Sequence, residues 1–353
     1  MIRYSASLKA NKHFWMNDLD TYRIVNYIFC TRFTALNEII LARFTGVQLR
    51  IYDRFKNPKN FKGNINVPEP KRVELEEAIG DSAAALKECA KGKKVYLMWS
   101  GGIDSTLAFY AMLDAGMAFT VICDEHSEAE NPKLAAEILG GQFEQVEHIK
   151  AENLKPLTAD PNNYFVTGEI GDQIMGSMVT MRFSYQQRNM LLKDAIACDL
   201  FAETIIDVGR ETERTRSVFQ PGLLKRYNAT KIITDMVSDT MKEMLGKTEE
   251  NTTVAEFLWY LNFVHKYSSV IYRLFRIRMY GYGKLKNTYH FFDTVPFQQY
   301  ALTHYEQNCA YIRDADYKMP FKGWIYQHDG NEDYLRNKLK EPSLKLTKYW
   351  YKK

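Results

Sequence analysis

A twisted parallel β-sheet with helices on both faces, an α/β fold, is what this sequence predicts, and three observations predict it. From Lys94 to Thr167 short apolar runs alternate with helical patterns. Those runs are close to continuously apolar, which is how strands buried on both faces read. The first run passes into the first following helix through Ser100-Gly101-Gly102-Ile103-Asp104-Ser105-Thr106, a glycine turn in a strand–turn–helix setting. A small N-terminal appendage and a largely helical C-terminal part complete the expected architecture.

The elements follow in order. Residues 1–72 form the appendage. Inside it Ile24, Val25, Tyr27 and Ile28, then Leu36, Ile39, Ile40 and Leu41, keep a helical period between Tyr22 and Val47. Asn57 to Pro70 is rich in Asn, Lys, Pro and Gly and reads as a loop or linker. The main domain is expected over 73–340, opened by a charged, alanine-rich helix from Val73 to Ala90. A strand over Val95–Trp99 leads into a helix from Thr106 to Ala115. The next strand is Phe119–Cys123, and a helix from about Asn131 to Leu139 ends at Gly140-Gly141. Two further strands are expected near Phe143–Ile149 and over Tyr164–Thr167. From Met178 onward the pattern is mostly helical, with a long apolar-aromatic helix over Leu258–Met279 that carries Arg273, Arg276 and Arg278. Residues 341–353 are a tail, and Lys345–Lys353 reads as a frayed, solvated end.

Composition excludes several classes. The chain has 353 residues, 46% hydrophobic and 25% charged, as soluble globular proteins do. Its formal charge of +4 gives no strong argument for nucleic acid and suits an enzyme that handles anionic nucleotides. The 5 cysteines (Cys30, Cys89, Cys123, Cys198 and Cys309) form no CxxC pair, so neither a disulfide framework nor a zinc site is expected. They read as reduced thiols of a cytoplasmic protein. The start Met1-Ile2-Arg3-Tyr4-Ser5 carries no signal-peptide core. No apolar run approaches the roughly 18 residues that a membrane span needs.

The first loop has a definite chemistry. Glycines let backbone N–H groups come close to an anion, and the helix N-terminus adds partial positive charge. Ser100, Ser105 and Thr106 add hydroxyl donors. The result is a polyphosphate cradle, and it is not a Walker A loop because the Gly-Lys-Ser/Thr ending is absent. The plain alternative is an ordinary Gly-Gly turn before a helix. A second stretch, Val166-Thr167-Gly168-Glu169-Ile170-Gly171-Asp172-Gln173-Ile174-Met175-Gly176-Ser177, again follows a strand and opens a helix. Two carboxylates at a strand end beside a phosphate cradle make sense as magnesium ligands, since that ion takes one or two carboxylates plus phosphate oxygens. The plain alternative here is a glycine-rich turn with Asp172 as a helix cap. Ligands of parallel sheets bind beyond the carboxyl ends of the strands, where both stretches lie.

Together these motifs resemble a known family. Ser100–Ser105 resembles the pyrophosphate loop (SGGxDS) of the PP-loop ATP pyrophosphatases, a HUP-like α/β superfamily whose members cleave ATP to AMP and pyrophosphate. Thr167–Ser177 resembles the SGEGSDExFGG segment of asparagine synthetases, with Glu169 and Asp172 on its two acidic positions, Gly171 for a Ser and Gln173 for a Glu. His290–Leu302 resembles the family's PFLDxxLVxFAL, with Asp293 on its Asp, and Ala136–Gly140 with Val146–His148 resembles its A-x-x-LG…HHE stretch. Tyr317–Ile325 stands where the family carries its catalytic lysine. The resemblance spans roughly residues 74–325 and is strongest at the first loop.

The resemblance implies an ATP-dependent C–N ligase that adenylates a carboxylate, releases AMP and pyrophosphate, and transfers the acyl group to an amine or ammonia. It implies ATP held by Ser100, Gly101, Gly102, Asp104, Ser105, Thr106 and Gly168, with Val121, Ile122 and Cys123 flanking the adenine. Asp104 and Asp172 would hold Mg2+, Glu169 would orient or deprotonate the incoming amine, and Lys318 or Lys322 would stabilise charge on the α-phosphate or the tetrahedral intermediate. Two departures limit the transfer. Residue 2 is Ile2 and only about 70 residues precede the synthetase-like part, so glutamine hydrolysis by this chain is not expected. Arg273–Lys284 does not match the family's run ending in E-x-R, so aspartate is not carried over as the substrate.

Partners are therefore a small-molecule carboxylate or amine; an ammonia-supplying partner and a homodimer stay open, and no membrane is expected. The basic-aromatic run from Arg273 to His290 reads as a helix at the site mouth before it reads as a nucleic-acid surface. Modification of a nucleobase or nucleic acid is the alternative function, lowered by the missing paired or zinc-binding cysteines. A non-catalytic nucleotide-binding module is a third, and the intact loop residues argue against it. Cys123 and His126 read as a packed thiol and a surface imidazole rather than as metal ligands.

Overall fold

The computed structural model describes residues 71–153, 160–175, 183–204, 250–255, 287–310 and 316–338, with a few isolated positions between them. Residues 1–70, the Leu258–Met279 stretch with its arginines, Gly176, Ser177 and the tail Lys345–Lys353 lie outside the described residues. The described residues belong to two compact units. One takes those of Ile65–Met178 and Tyr267–Lys353, the other those of Val179–Lys266.

In the first unit α1 (Leu75–Cys89) buries Leu75, Ala78, Ile79, Ala83 and Leu86, the three-and-four spacing of one helix face. Strand β1 (Lys94–Met98) follows, then α2 (Ile103–Asp114). α2 begins three residues before the Thr106 start read from the sequence. Extended Gly102 caps it and Ile103 packs into the core, so Asp104, Ser105 and Thr106 all fall in its first turn. β2 (Phe119–Cys123) ends at Asp124, whose side chain forms a capping box with Ser127 and starts α3 (Glu125–Glu130). The acidic run of α3 has no apolar period and was not anticipated. α4 (Pro132–Leu139) opens on Asn131 with proline in its first turn. β3 (Val146–Lys150) starts three residues later than expected, and β4 (Asn163–Thr167) runs into the short α5 (Gly171–Ile174).

Among the described residues, the second unit begins with two short helices. α6 (Tyr185–Asn189) is capped by the Ser184–Gln187 box, and α7 (Leu192–Ala197) follows an antiparallel bridge between Leu191 and Thr253. Phe183, Phe201 and Phe257 form its aromatic centre. The chain then returns to the first unit with β5 (Thr288–His290), α8 (Val295–Ala310), α9 (Met319–Asp329) and α10 (Glu332–Asn337).

The 5 strands form one sheet in the order β3-β2-β1-β4-β5. Every neighbouring pair is parallel, with Leu97 opposite both Val121 and Val166, and Val166 opposite Tyr289. The fold is α/β with a helical C-terminal part. β4 is buried along nearly its whole length and β1 at its centre, whereas the edge strand β3 is mostly exposed. An aromatic core of Phe291, Phe292, Phe297 and Phe321 ties the β5 exit to α8 and α9. Between β1 and β4 the strand order reverses direction, and the crevice beyond their carboxyl ends is where such sheets take ligands. Among the described residues no helix is long and apolar enough to cross a membrane.

Candidate functional site

The two sequence-predicted loops meet at that reversal point. The first leaves β1 at Ser100. The Ser100 N–H donates to Ser105 Oγ at 3.1 Å, and Ser105 Oγ donates to the Gly102 carbonyl at 3.1 Å. Ser100 Oγ lies 3.0 Å from Ser105 Oγ and accepts the Gly102 N–H at 3.4 Å. The two serines thus brace the turn from inside. Gly101 has φ +72°, and a Cβ there would stand 2.3 Å from the Ser127 carbonyl oxygen, so only glycine lets the turn pass under α3. The first N–H groups of α2 face the same end and have no intrahelical carbonyl to bind. The helix dipole adds partial positive charge at this end.

The second loop lies directly on the first. A Cβ on Gly168 would meet Ser105 N at 2.6 Å, and one on Gly171 would meet the Asp104 carboxylate at 2.4 Å. Ile170 between them is buried with φ +80°, a left-handed conformation that is unusual for a β-branched side chain and stores strain. Thr167 Oγ1 accepts the Glu169 N–H at 3.4 Å and lies 2.7 Å from His290 Nδ1 at the tip of β5. Burial pushes the His290 imidazole down to about 4.

A third segment closes the cluster. Lys318, just before α9 and also left-handed with φ +51°, places Nζ 2.5 Å from Asp104 and 2.8 Å from Asp172. Burial works to lower the pKa of this ammonium, but the Asp104 and Asp172 carboxylates outweigh it and hold the group above its ordinary value. Tyr317 donates its hydroxyl to Asp172 at 2.5 Å. Lys322, one turn on, is fully buried, with Nζ 3.5 Å from the Lys338 carbonyl; burial pushes it down, against the opposing pull of Asp316. The structure therefore brings Lys318 to the two aspartates.

The remaining predicted residues are placed as follows. Thr106 is buried, and its hydroxyl accepts from Trp99 Nε1 at 3.1 Å and from Tyr334 at 3.5 Å, so it braces the core rather than lining the turn. Val121 lies inside β2. Cys123 ends that strand, where burial, with Glu128 adding to it, pushes the thiol up to about 11. Glu169 follows Gly168 at the mouth of the second loop and is partly accessible.

Two tyrosines escaped the sequence reading. Tyr317 sits beside Lys318 without a pattern of its own. Tyr334 lies in the charged α10 and donates its hydroxyl to the Gly101 carbonyl at 3.1 Å, clamping the turn from behind. Lys338, just past α10, adds an ion pair to Glu130 of α3. Nothing in a charged helix signals such a clamp.

Two aspartates from different loops converging on one cationic atom form a hard-oxygen donor set, and the lysine ammonium stands in for a cation there. Among the described residues no group of three or more His, Cys, Asp or Glu is placed to hold a metal. A magnesium ion would fit this pair, completing its shell with phosphate or water oxygens. No family model matches the chain, and no curated protein or solved structure matches it.

Proposed function

We propose that this chain is an AMP- and diphosphate-forming ligase of the PP-loop type, similar to asparagine synthetases. One observation carries the reading: the aspartates of two separate glycine loops, Asp104 and Asp172, converge on Lys318 Nζ at 2.5 and 2.8 Å beside the Ser100–Ser105 turn. A second agrees with it. Ile170 stands where the resembled SGEGSDE segment carries its second glycine, and the backbone there is left-handed with φ +80°.

In this reading the N–H groups of the turn and of the first turn of α2 grip the β- and γ-phosphates of ATP. A carboxylate oxygen of the substrate attacks the α-phosphorus, the new O–P bond forms, and the bond to the pyrophosphate oxygen breaks. Lys318 supplies positive charge at that centre. An amine or ammonia then attacks the acyl carbon, AMP departs, and Glu169 takes the amine proton. Magnesium held by Asp104 and Asp172 would neutralise charge on the departing pyrophosphate. The adenine would lie at the end of β2, which Cys123 closes and Val121 backs from inside the strand.

The test is ATP–pyrophosphate exchange with magnesium over a panel of carboxylic acids. Exchange that depends on one acid, with AMP as the nucleotide product, is expected, and Asp104→Asn should abolish it. ADP as product, or full exchange in Asp104→Asn, refutes the reading.

A further inference from the structure

Lys318 and a divalent cation want the same place. The ammonium touches both carboxylates at 2.5 and 2.8 Å, where an ion bridging them would have to sit. Magnesium binds oxygen at about 2.1 Å, so a bridging ion and this ammonium could not occupy the pair together without direct charge repulsion.

Three features point to exchange rather than to a permanent ion pair. The lysine side chain is 2% exposed, whereas those of Asp104 and Asp172 are 23% and 29% exposed, so the acids keep an open side while the lysine closes them from within. Asp172 also has its own anchor in the Tyr317 hydroxyl, which holds the carboxylate whether or not the lysine stays. The ammonium meanwhile lies 5.4 Å from the Tyr317 ring and 5.9 Å from the Phe321 ring, aromatic faces that accept a cation along its path.

We propose that Lys318 is the resident counter-ion of the Asp104–Asp172 pair, that a divalent cation arriving with phosphates displaces it, and that the displaced ammonium turns to those phosphates. The proposal rests on the ligase reading for the origin of the cation and gives Lys318 two successive stations. The acids stay neutralised before ATP binds, and the lysine charge reaches the phosphate only once metal is in place. The strain at Lys318, a non-glycine residue with φ +51°, sits at the pivot of that movement.

The experiment is a titration of the full chain with Mn2+ alone, free Mn2+ being read by electron paramagnetic resonance. Lys318→Gln should bind Mn2+ at least tenfold more tightly than the unaltered chain, and Lys318→Gln with Asp172→Asn should lose that gain. Equal affinity in folded Lys318→Gln, or a gain that survives Asp172→Asn, overturns the proposal. If Lys318→Gln does not fold, the unaltered chain is pulsed with acetic anhydride with and without millimolar Mn2+. Acetylation of Lys318, measured by mass spectrometry against Lys322, should rise several-fold with Mn2+, and an unchanged ratio overturns the proposal. Neither readout involves AMP formation. Metal exchange without AMP would refute the ligase and leave the exchange standing; AMP formation with no gain in Lys318→Gln would do the reverse.

Discussion

Replacing Gly168 by alanine tests the meeting of the two loops through stability and, on the ligase reading, through activity. The added Cβ would stand 2.6 Å from Ser105 N, 2.8 Å from Asp104 C and 2.9 Å from Ser105 Cα. All three are backbone atoms of the first turn of α2, so no rotamer change relieves the contact. Ordinary contact begins near 3.5 Å, so the loops must separate by roughly 1 Å. Overpacking of this kind costs about 1–3 kcal/mol, which at roughly 2 °C per kcal/mol for a chain of this size lowers Tm by about 2–6 °C. The same separation moves Asp104 away from Asp172, and a displacement of that size at a reacting centre costs on the order of 100-fold in rate. Gly323→Ala in α9 is the matched control, because nothing lies within 4 Å of its Cβ. There the change should be neutral, or stabilising by up to about 1 kcal/mol. Differential scanning calorimetry of both variants, with pyrophosphate exchange alongside, reads the result. A Gly168→Ala protein that melts with the unaltered chain and keeps its activity within twofold would refute the steric argument.

Three further outcomes follow from the same geometry. Tyr334→Phe removes the donor to the Gly101 carbonyl and should cost about 1–2 kcal/mol in chemical denaturation while raising the KM for ATP more than it lowers kcat. His290 has a folded pKa of about 4 against 6.5 in the unfolded chain. The unfolded chain therefore binds the extra proton between those values, so this contribution is fully present above pH 6.5 and is lost as pH falls toward 4, by at most about 3 kcal/mol. Denaturation of His290→Gln should show a flatter stability slope across that window, and an unchanged slope would contradict the assignment. Cys123, its thiol pushed up to about 11 by burial, should resist iodoacetamide at pH 8 in the folded chain, while the exposed Cys89 and Cys198 react, as peptide mass spectrometry would show.

How far the sequence foretold this arrangement depends on where each piece gets its stability. β1, β2 and β4 take theirs from apolar side chains within five consecutive residues, so their runs announce them. β5 is only Thr288–His290, has no apolar period, and exists because β4 offers an open edge more than a hundred residues earlier. A non-local pairing of that kind leaves no local mark. α3 is similar: its residues are acidic, and the Asp124–Ser127 capping box supplies its start. The early start of α2 was hidden because Asp104 and Ser105 read as loop residues although their backbones are already helical.

The site divides along the same line. Glycines at 101, 102, 168 and 171 were visible as turn chemistry, and two of them prove to be contact requirements between loops that are distant in sequence. The choice between Lys318 and Lys322 was not visible, because the two lie one turn apart on one element and each is followed by a small or apolar neighbour. What separates them is the charge each one meets. At Lys322 burial outweighs the pull of Asp316 and lowers the pKa, whereas at Lys318 the carboxylates of Asp104 and Asp172 outweigh burial and raise it. A lysine held charged in a closed site is kept for electrostatic use, since it cannot serve as a base while protonated. The positive charge at the two aspartates is that of Lys318, while Lys322 braces the end of α10, so Lys322→Met should disturb stability before it disturbs any reaction at the two aspartates.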